Sequence, residues 1–239
     1  MDNMLDNQTA KLIEEYFEAF SNLYGIISMK RAFRIIKEQN PEIGLHEADF
    51  IDFIENFDFD KKYYIIVYDE EMYSDGPING SDPMKKLLIA EYLFAVDDEA
   101  YYEMKCTQDG LRFYVPEREE LLKYSSDDYF EQNEPYFNLA DYFINQMHLS
   151  VDCADDIIEE WVCIWRAETD GEDINVDMCL DSLVAHSHGK FKKFKNIKQA
   201  KEFFRLFIDI YNNTRMPMFR GHTPKEGGLD EEGEVRYKE

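Results

Sequence analysis

Residues 8–39 read QTAKLIEEYFEAFSNLYGIISMKRAFRIIKEQ, and this stretch decides the fold that we predict. Its first half places apolar residues at helical spacing, which predicts a helix over 8–24 with one buried face formed by Ala10, Ile13, Phe17, Phe20 and Tyr24. Gly25 then interrupts the pattern before the β-branched pair Ile26-Ile27. The chain is therefore expected to begin with a helix followed by a short extended segment.

The following segments extend this order of elements. Ser28 can cap a second helix over 29–39, and a third helix is predicted at about 46–57. A β-rich run at Tyr63–Tyr68 is followed by a polar turn and then by Met72-Tyr73, which predicts a hairpin. Three short helices, a strand after the first and a terminal hairpin form the order of a winged helix. We therefore predict an N-terminal winged-helix-like module.

Glycine and proline suggest where the chain divides. They are concentrated between the predicted hairpin and the next apolar pattern, which predicts a module at 1–75, a linker at 76–82, a helical domain at 83–223 and a flexible charged tail at 224–239. The predicted fold class is mainly α, with a winged-helix-like module (helices and a small β-hairpin) followed by a helical C-terminal domain.

The second part of the chain is rich in helical patterns. Helices are predicted at 83–106, 116–124, 135–148, 150–165, 173–187 and 197–213, and in the first of these ranges Tyr101 and Tyr102 leave a strand as the alternative. The last of these has many apolar residues, and we expect six of them to point inward: Ala200, Phe203, Phe204, Phe207, Ile208 and Tyr211.

Composition limits the function classes. The chain has 239 residues, 44% of them hydrophobic, and a formal net charge of −25. Such a charge repels nucleic acid and anionic membranes and favours a basic partner. Neither a secretory signal nor an apolar run of membrane-spanning length is recognisable, and the four cysteines lack metal-binding or redox spacing. We therefore expect a cytoplasmic protein with free thiols.

Positive charge is concentrated in the basic segment 186–222, which has nine lysines or arginines and two acids. Four of the lysines alternate with Phe191 and Phe194: Lys190, Lys192, Lys193 and Lys195. Basic groups interleaved with aromatics can follow a phosphate backbone. The alternative, which we prefer, is a loop that docks on the acidic surface of the protein, with both phenylalanines as core anchors.

The predicted third helix gives a second test of nucleic-acid binding. A winged helix that reads DNA usually places this helix in the major groove. Here the helix and its exit have no lysine or arginine but six acids: Glu47, Asp49, Asp52, Glu55, Asp58 and Asp60. Phosphates would be repelled, so the module is expected to bind protein rather than DNA.

Signatures of catalysis are missing from the sequence. No nucleophile motif and no glycine-rich nucleotide loop occurs. Cys179, His186 and His188 could contribute to a zinc site, but spacing supplies no fourth ligand. We therefore predict no catalytic residue, no cofactor and no metal site, and an enzyme is not favoured.

The most distinctive motif lies near the C-terminal end. Tyr211-Asn-Asn-Thr-Arg215 ends an aromatic helix, and Gly221-His-Thr-Pro-Lys-Glu226 follows after a turn. Asn and Thr side chains can satisfy the free backbone groups of a helix end, so we interpret the motif as structural. The alternative is an interaction site that includes Asn212, Asn213, Arg215 and His222.

This motif resembles that of a group of uncharacterised Firmicutes proteins of the SEC-C-associated type, which share an Asn-Asn-Thr-Arg…Gly-His-Thr-Pro pattern. The resemblance extends loosely over residues 10–226 and implies a similar fold and a cytoplasmic location. The SEC-C metal motif itself is absent, because no cysteine follows Cys179. No metal site is therefore transferred, and the resemblance implies no activity.

Three functions remain open from the sequence. The first is a non-enzymatic adaptor or regulatory protein that acts through protein–protein contacts. The second is an acidic nucleic-acid mimic that inhibits a DNA-binding enzyme, and the third is a nucleic-acid binder that uses the basic segment 186–222. We prefer the first, with a protein partner and no membrane contact.

Overall fold

The computed structural model describes residues 5–57, 62–73, 82–95, 99–169 and 174–227. The described chain is mainly helical with one small three-stranded antiparallel sheet, which confirms the predicted fold class. It divides into two compact units. The first comprises Met1–Asp109 and Phe113–Tyr129, and the second comprises Gly110–Arg112 and Phe130–Glu239.

The first unit contains α1 (Asn7–Tyr24), β1 (Ile26–Ser28), α2 (Met29–Gln39), α3 (Glu47–Glu55), β2 (Tyr64–Val67), β3 (Leu87–Ala90), α4 (Glu99–Gln108) and α5 (Arg118–Lys123), and it follows the predicted order of elements as far as β2. Polar caps begin the first helices. The Asp6 carboxylate accepts hydrogen bonds from two backbone N–H groups of α1, and Ser28 Oγ accepts from the N–H of Arg31 at 3.3 Å. Each cap satisfies donors that lack partners within the helix.

The sheet corrects the predicted hairpin. Its strand order is β1-β3-β2, and Ile89 of the central strand lies opposite Ile26 on one side and Ile65 on the other. Met72 and Tyr73 do not pair with β2 but end the 3₁₀ helix Asp69–Tyr73. The pairing strand lies within 83–106, which was predicted to be helical. A short apolar run such as Leu-Leu-Ile-Ala has no periodicity that distinguishes a buried strand from a helix.

The predicted boundary between the two parts is also wrong. The first unit includes the central strand and later segments that bond to the early helices. Gln108 Nε2 donates to the carbonyl of Tyr24 at 2.6 Å, and Tyr24 Oη donates to the carbonyl of Tyr114 at 2.7 Å. The predicted module 1–75 is therefore too short, and the helical domain starts later than residue 83. Residues 76–81 of the predicted linker lie outside the described residues.

Aromatic residues fill the core of the first unit. Phe17 is completely buried on α1, and its ring contacts those of Phe50, Phe53, Phe57 and Tyr64. Full burial of one such side chain contributes about 1.5–3 kcal/mol. The inward face predicted for α1 is confirmed at its four larger residues.

The described part of the second unit contains four α-helices: α6 (Glu134–Met147), α7 (Val151–Arg166), α8 (Val176–His186) and α9 (Ile197–Asn212). Trp161 of α7 lies at the centre of their core. Its ring contacts Phe143 of α6 and Phe203 of α9, and its Nε1 donates to the carbonyl of Cys179 at 2.8 Å. The helices predicted from Pro135 onward are thereby confirmed, with boundaries shifted by a few residues.

Within the described ranges, no helix combines the length and apolar character that crossing a membrane requires.

Candidate functional site

The C-terminal motif is organised around Arg215, whose side chain is 12% exposed. Its Nε donates to Glu131 Oε1 at 3.0 Å, and its Nη1 donates to Glu226 Oε2 at 2.8 Å and to the carbonyl of Gly221 at 3.2 Å. The guanidinium is therefore held by two carboxylates and one carbonyl inside the second unit. Such a group is engaged within the fold and presents little surface to a partner.

Glu226 belongs to a second set of contacts. Its backbone N–H donates to Thr223 Oγ1 at 3.2 Å, and its Oε2 accepts from the N–H of Thr223 at 3.0 Å, which completes a capping box. His222 Nδ1 lies 3.2 Å from the same oxygen. Burial alone would raise the pKa of Glu226, but the hydrogen bonds from His222 and Thr223 and the charge of Arg215 lower it to about 2.

The asparagines of the motif end the last helix. Asn213 Nδ2 donates to the carbonyl of Asp209 at 2.7 Å, and its own carbonyl accepts from Asn133 Nδ2 at 3.0 Å. Asn212 is the final residue of α9 and is half-buried. These bonds support the structural interpretation of the motif. They also correct the predicted tail, because residues 224–227 are part of this structure, whereas 228–239 lie outside the described residues.

In the loop between α8 and α9, the lysines and the phenylalanines of the basic segment lie in different environments. The exposed lysines of this loop are Lys190, Lys192, Lys193 and Lys195. None of these four forms an ion pair with an acid in the described part of the chain. Lys190 Nζ instead donates to the carbonyl of His148 at 3.0 Å. Phe191 is buried, and the ring centroid of Phe194 lies 5.0 Å from that of Phe203. The phenylalanines are core anchors, as expected, but docking of the lysines on described acids is not observed.

An exposed apolar stripe on α9 was not predicted. Ile197 is 76% exposed, Phe204 36% and Ile208 40%, whereas Phe203 and Phe207 of the same helix are buried. The inward positions predicted for Phe204 and Ile208 are therefore wrong. The helix has more apolar residues than its buried side can hold, because Phe203, Phe207 and Tyr211 already cover the two tryptophans of α7.

We define the α9 face as Ile197, Lys198, Lys201, Phe204, Arg205 and Ile208. The spacing 197, 201, 204 and 208 places Lys201 in line with the three apolar residues. Lys198 and Arg205 project along one edge of this stripe, and all three cations are exposed. The α9 face therefore combines apolar area with three positive charges. A helical wheel drawn from the sequence could have revealed the α9 face, since its residues share one arc opposite Phe203 and Leu206.

The residues considered for a metal site do not converge. Burial raises the pKa of Cys179 to about 12, which keeps its thiol protonated, and His186 Nε2 lies 2.8 Å from Glu160 Oε2. His188 is exposed in the loop that follows α8. Among the described residues, no group of three or more potential metal ligands is found.

No protein-family model, no curated protein and no solved structure matches this chain. The resemblance to the Firmicutes proteins therefore stays a prediction.

Proposed function

We propose that this protein is a non-enzymatic adaptor or regulatory protein, and that the α9 face is its surface for a protein partner. The observation that carries the proposal is the exposure of Ile197, Phe204 and Ile208 on one stripe of a helix whose other side is buried. Large apolar residues exposed together on one side of a helix, with charged residues among and beside them, are typical of protein-binding surfaces. The polar residues of the C-terminal motif, by contrast, are bonded within the fold.

The chemistry of the α9 face selects an acidic helical partner. Anchors at intervals of three and four residues fit the apolar stripe of a second amphipathic helix. Lys198, Lys201 and Arg205 would face the carboxylates that border that stripe. A basic partner, which the net charge of −25 favours, would have to bind elsewhere on the protein.

We also infer that the first unit is a winged-helix-like module that binds protein rather than DNA. Three of the four described acids of α3 support this inference, because Glu47, Asp49 and Asp52 form no ion pair with a described residue, whereas Glu55 pairs with Lys86 at 2.6 Å. A helix with this charge would repel the phosphates on both sides of a DNA groove. Asp58 and Asp60, which were predicted to extend the acidic surface, lie outside the described residues.

A cytoplasmic location is part of the proposal. None of the four cysteines, all of which lie in the described ranges, forms a disulfide, and two of them are buried. Reduced cysteines are the norm in compartments rich in glutathione and thioredoxin.

Nucleic-acid binding through the basic segment 186–222 is the second candidate. The exposure of the four loop lysines favours it. The packing of Phe191 and Phe194 into the fold speaks against it, because the bases of single-stranded nucleic acid usually stack on exposed aromatic rings. A further argument against it is the net charge, which opposes approach to phosphate.

Two sets of substitutions distinguish the candidates. The first removes the apolar anchors (Ile197→Ser with Ile208→Ser), and the second removes loop charge (Lys190, Lys192, Lys193 and Lys195 to Ala). Each tagged protein is purified from its native host, with and without nuclease, and bound proteins and nucleic acids are identified. Val184→Ser serves as a control, because Val184 is 47% exposed on α8, outside the α9 face.

An adaptor is expected to retain an acidic protein that survives nuclease, disappears with the double isoleucine variant and persists with Val184→Ser. Recovery of RNA or DNA that is lost only with the lysine variant would overturn the proposal. Capture of a basic DNA-binding enzyme by both variants would instead favour the nucleic-acid mimic.

A further inference from the structure

A cavity of about 590 Å³ opens on the surface of the first unit, lined by residues at and before the start of α1, by residues of α3 and its exit, and by Lys62 before β2. Its volume falls within the range of roughly 300–1,000 Å³ that is typical of small-ligand sites. Apolar groups form its floor, among them Leu5, Ala10, Phe53 and Phe57. The rings of Phe53 and Phe57 contact each other with centroids 5.1 Å apart, so the cavity lining includes a pair of adjacent aromatic rings.

The rim of the cavity is negatively charged. Among the described residues, its lining includes the carboxylates of Glu14, Asp49 and Asp52 and one cation, Lys62. Lys62 Nζ is already shared between Glu14 at 3.2 Å and Glu18 at 2.8 Å. Asp49 and Asp52 form no ion pair with any described residue, and they lie one helical turn apart on α3. The rim therefore retains two carboxylates without a cationic partner among the described groups.

Lys62 shows how a cation can be held here. Its ammonium lies 5.9 Å from the ring centroid of Phe57 while a carboxylate contacts it from the side. A positive charge next to an aromatic face is stabilised by the ring quadrupole, and a nearby carboxylate adds Coulomb attraction. The carboxylates of Asp49 and Asp52 and the ring of Phe53 provide the same two kinds of group in the cavity lining, and no described ammonium pairs with these two carboxylates.

We propose that this cavity binds a small amphipathic organic cation, a protonated amine or guanidinium attached to an apolar body. The apolar body lies on the floor of Phe53 and Phe57, and the charged end contacts Asp49 and Asp52 at the rim. An anion of the same shape is repelled by three carboxylates, and a neutral molecule gains only the apolar contact. The site lies in the first unit and is independent of the α9 face.

The test uses the full-length protein and three probes that share an indole body. Tryptamine is cationic, N-acetyltryptamine is neutral and indole-3-propionate is anionic at neutral pH. Titrations followed by ¹H–¹⁵N correlation spectra are expected to shift amides of α1 and α3 and that of Lys62. Tryptamine should bind about tenfold more tightly than the neutral probe, since one charge-assisted hydrogen bond corresponds to about that factor. The anionic probe should produce no saturable shift.

Matched variants locate the site. Asp49→Asn with Asp52→Asn is expected to weaken tryptamine binding at least about tenfold. Glu47→Gln is the control, because Glu47 shares the first turn of α3 but does not line the cavity. Ala10→Leu fills the floor without changing charge and should abolish binding while the circular dichroism and melting temperature stay near those of the parent. Equal affinity for the cationic and neutral probes, or binding that survives both the double variant and Ala10→Leu, would overturn the proposal.

Discussion

Arg215 Nη1 donates to Glu226 Oε2 at 2.8 Å, and this ion pair joins the end of α9 to the capping box at the C-terminal end of the described chain. The two residues come from the two halves of a motif that is interrupted by a turn. Their contact explains why both halves contain polar residues, since each supplies partners for the other. The motif therefore fixes the C-terminal end of the described chain to the end of α9 within the second unit.

Replacing Arg215 should destabilise the protein. In an Arg215→Met variant, Glu131 and Glu226 lose their shared cation at a site where Arg215 was 12% exposed. The arginine is largely buried while the two carboxylates are partly exposed, so its removal should cost more than the loss of a fully exposed pair, and we expect a decrease of about 2 kcal/mol in the free energy of unfolding. Urea denaturation of the parent and the Arg215→Met variant measures this decrease in the free energy of unfolding. Arg205→Met, which removes an exposed cation from α9, should change stability by less than about 0.5 kcal/mol.

The low pKa of Glu226 predicts a pH dependence of stability. The folded pKa is about 2, below the ordinary value of 4.5, so the unfolded chain takes up this proton more readily than the folded chain. The stabilisation is therefore complete above pH 4.5 and is lost as the pH falls toward 2. Because the side chain is 40% exposed, we expect a contribution of about 1–2 kcal/mol.

A Glu226→Gln variant tests this dependence. The parent and the variant should differ in unfolding free energy at pH 7 and converge toward pH 2, as measured by denaturant titrations across this range. A difference that stayed constant with pH would assign the loss to the capping geometry and not to the charge.

Replacing two adjacent phenylalanines of α9 by alanine should destabilise the protein to very different extents. Phe203 is fully buried against Trp161 and Phe143, and Phe203→Ala is expected to cost about 3–5 kcal/mol. Phe204 is 36% exposed, and Phe204→Ala should cost clearly less. Thermal and urea denaturation of both variants provide the comparison. A loss for Phe204→Ala as large as that for Phe203→Ala would show that Phe204 belongs to the core, which would contradict the α9 face.

The sequence predicted local features of the fold well. Caps such as Ser28 and Ser150 and the helix-starting Pro135 act within a few residues, so their effect can be recognised from the chain alone. The central strand Leu87–Ala90 escaped prediction because its pairing partners are distant in sequence. Its four apolar residues have no periodicity that indicates a strand, and the sheet decides their conformation.

The candidate site was predicted less well, for a related reason. Periodicity places Phe203 and Phe204 at neighbouring positions of an apolar helix, but only the packing of α7 determines which of them is covered. Glu131 lies far from Arg215 in sequence, so its role as the partner of that arginine could not be predicted either. The exposure of the loop lysines likewise depends on where the acids of the folded chain lie.

The four cysteines should differ in reactivity. Cys106 and Cys163 are exposed, whereas Cys153 and Cys179 are buried. Burial raises the pKa of both buried thiols, to about 12 for Cys179, which lowers the fraction of reactive thiolate. A thiol-specific chromogenic reagent should label two cysteines rapidly in the native protein and all four in denaturant. Mass spectrometry of peptides identifies the labelled residues, and early modification of Cys179 would contradict its burial.

The boundary of the first unit can be tested with fragments. A fragment of residues 1–82 contains the first three helices and β2 but lacks Leu87–Ala90, the strand that joins the other two. It also lacks Gln108, whose side chain bonds the carbonyl of Tyr24 in a buried position. Without the central strand, β1 and β2 have no hydrogen-bonding partner in the sheet, and their backbone groups would be unsatisfied where they are buried.

We therefore expect the 1–82 fragment to unfold without cooperativity and the 1–129 fragment to give a cooperative thermal transition, as measured by circular dichroism. A Leu88→Asp variant of the longer fragment serves as the matched control, since a carboxylate at this fully buried strand position should abolish the transition. A cooperative transition in the shorter fragment would restore the boundary near residue 75. It would also mean that β3 is an addition to a core that folds without it.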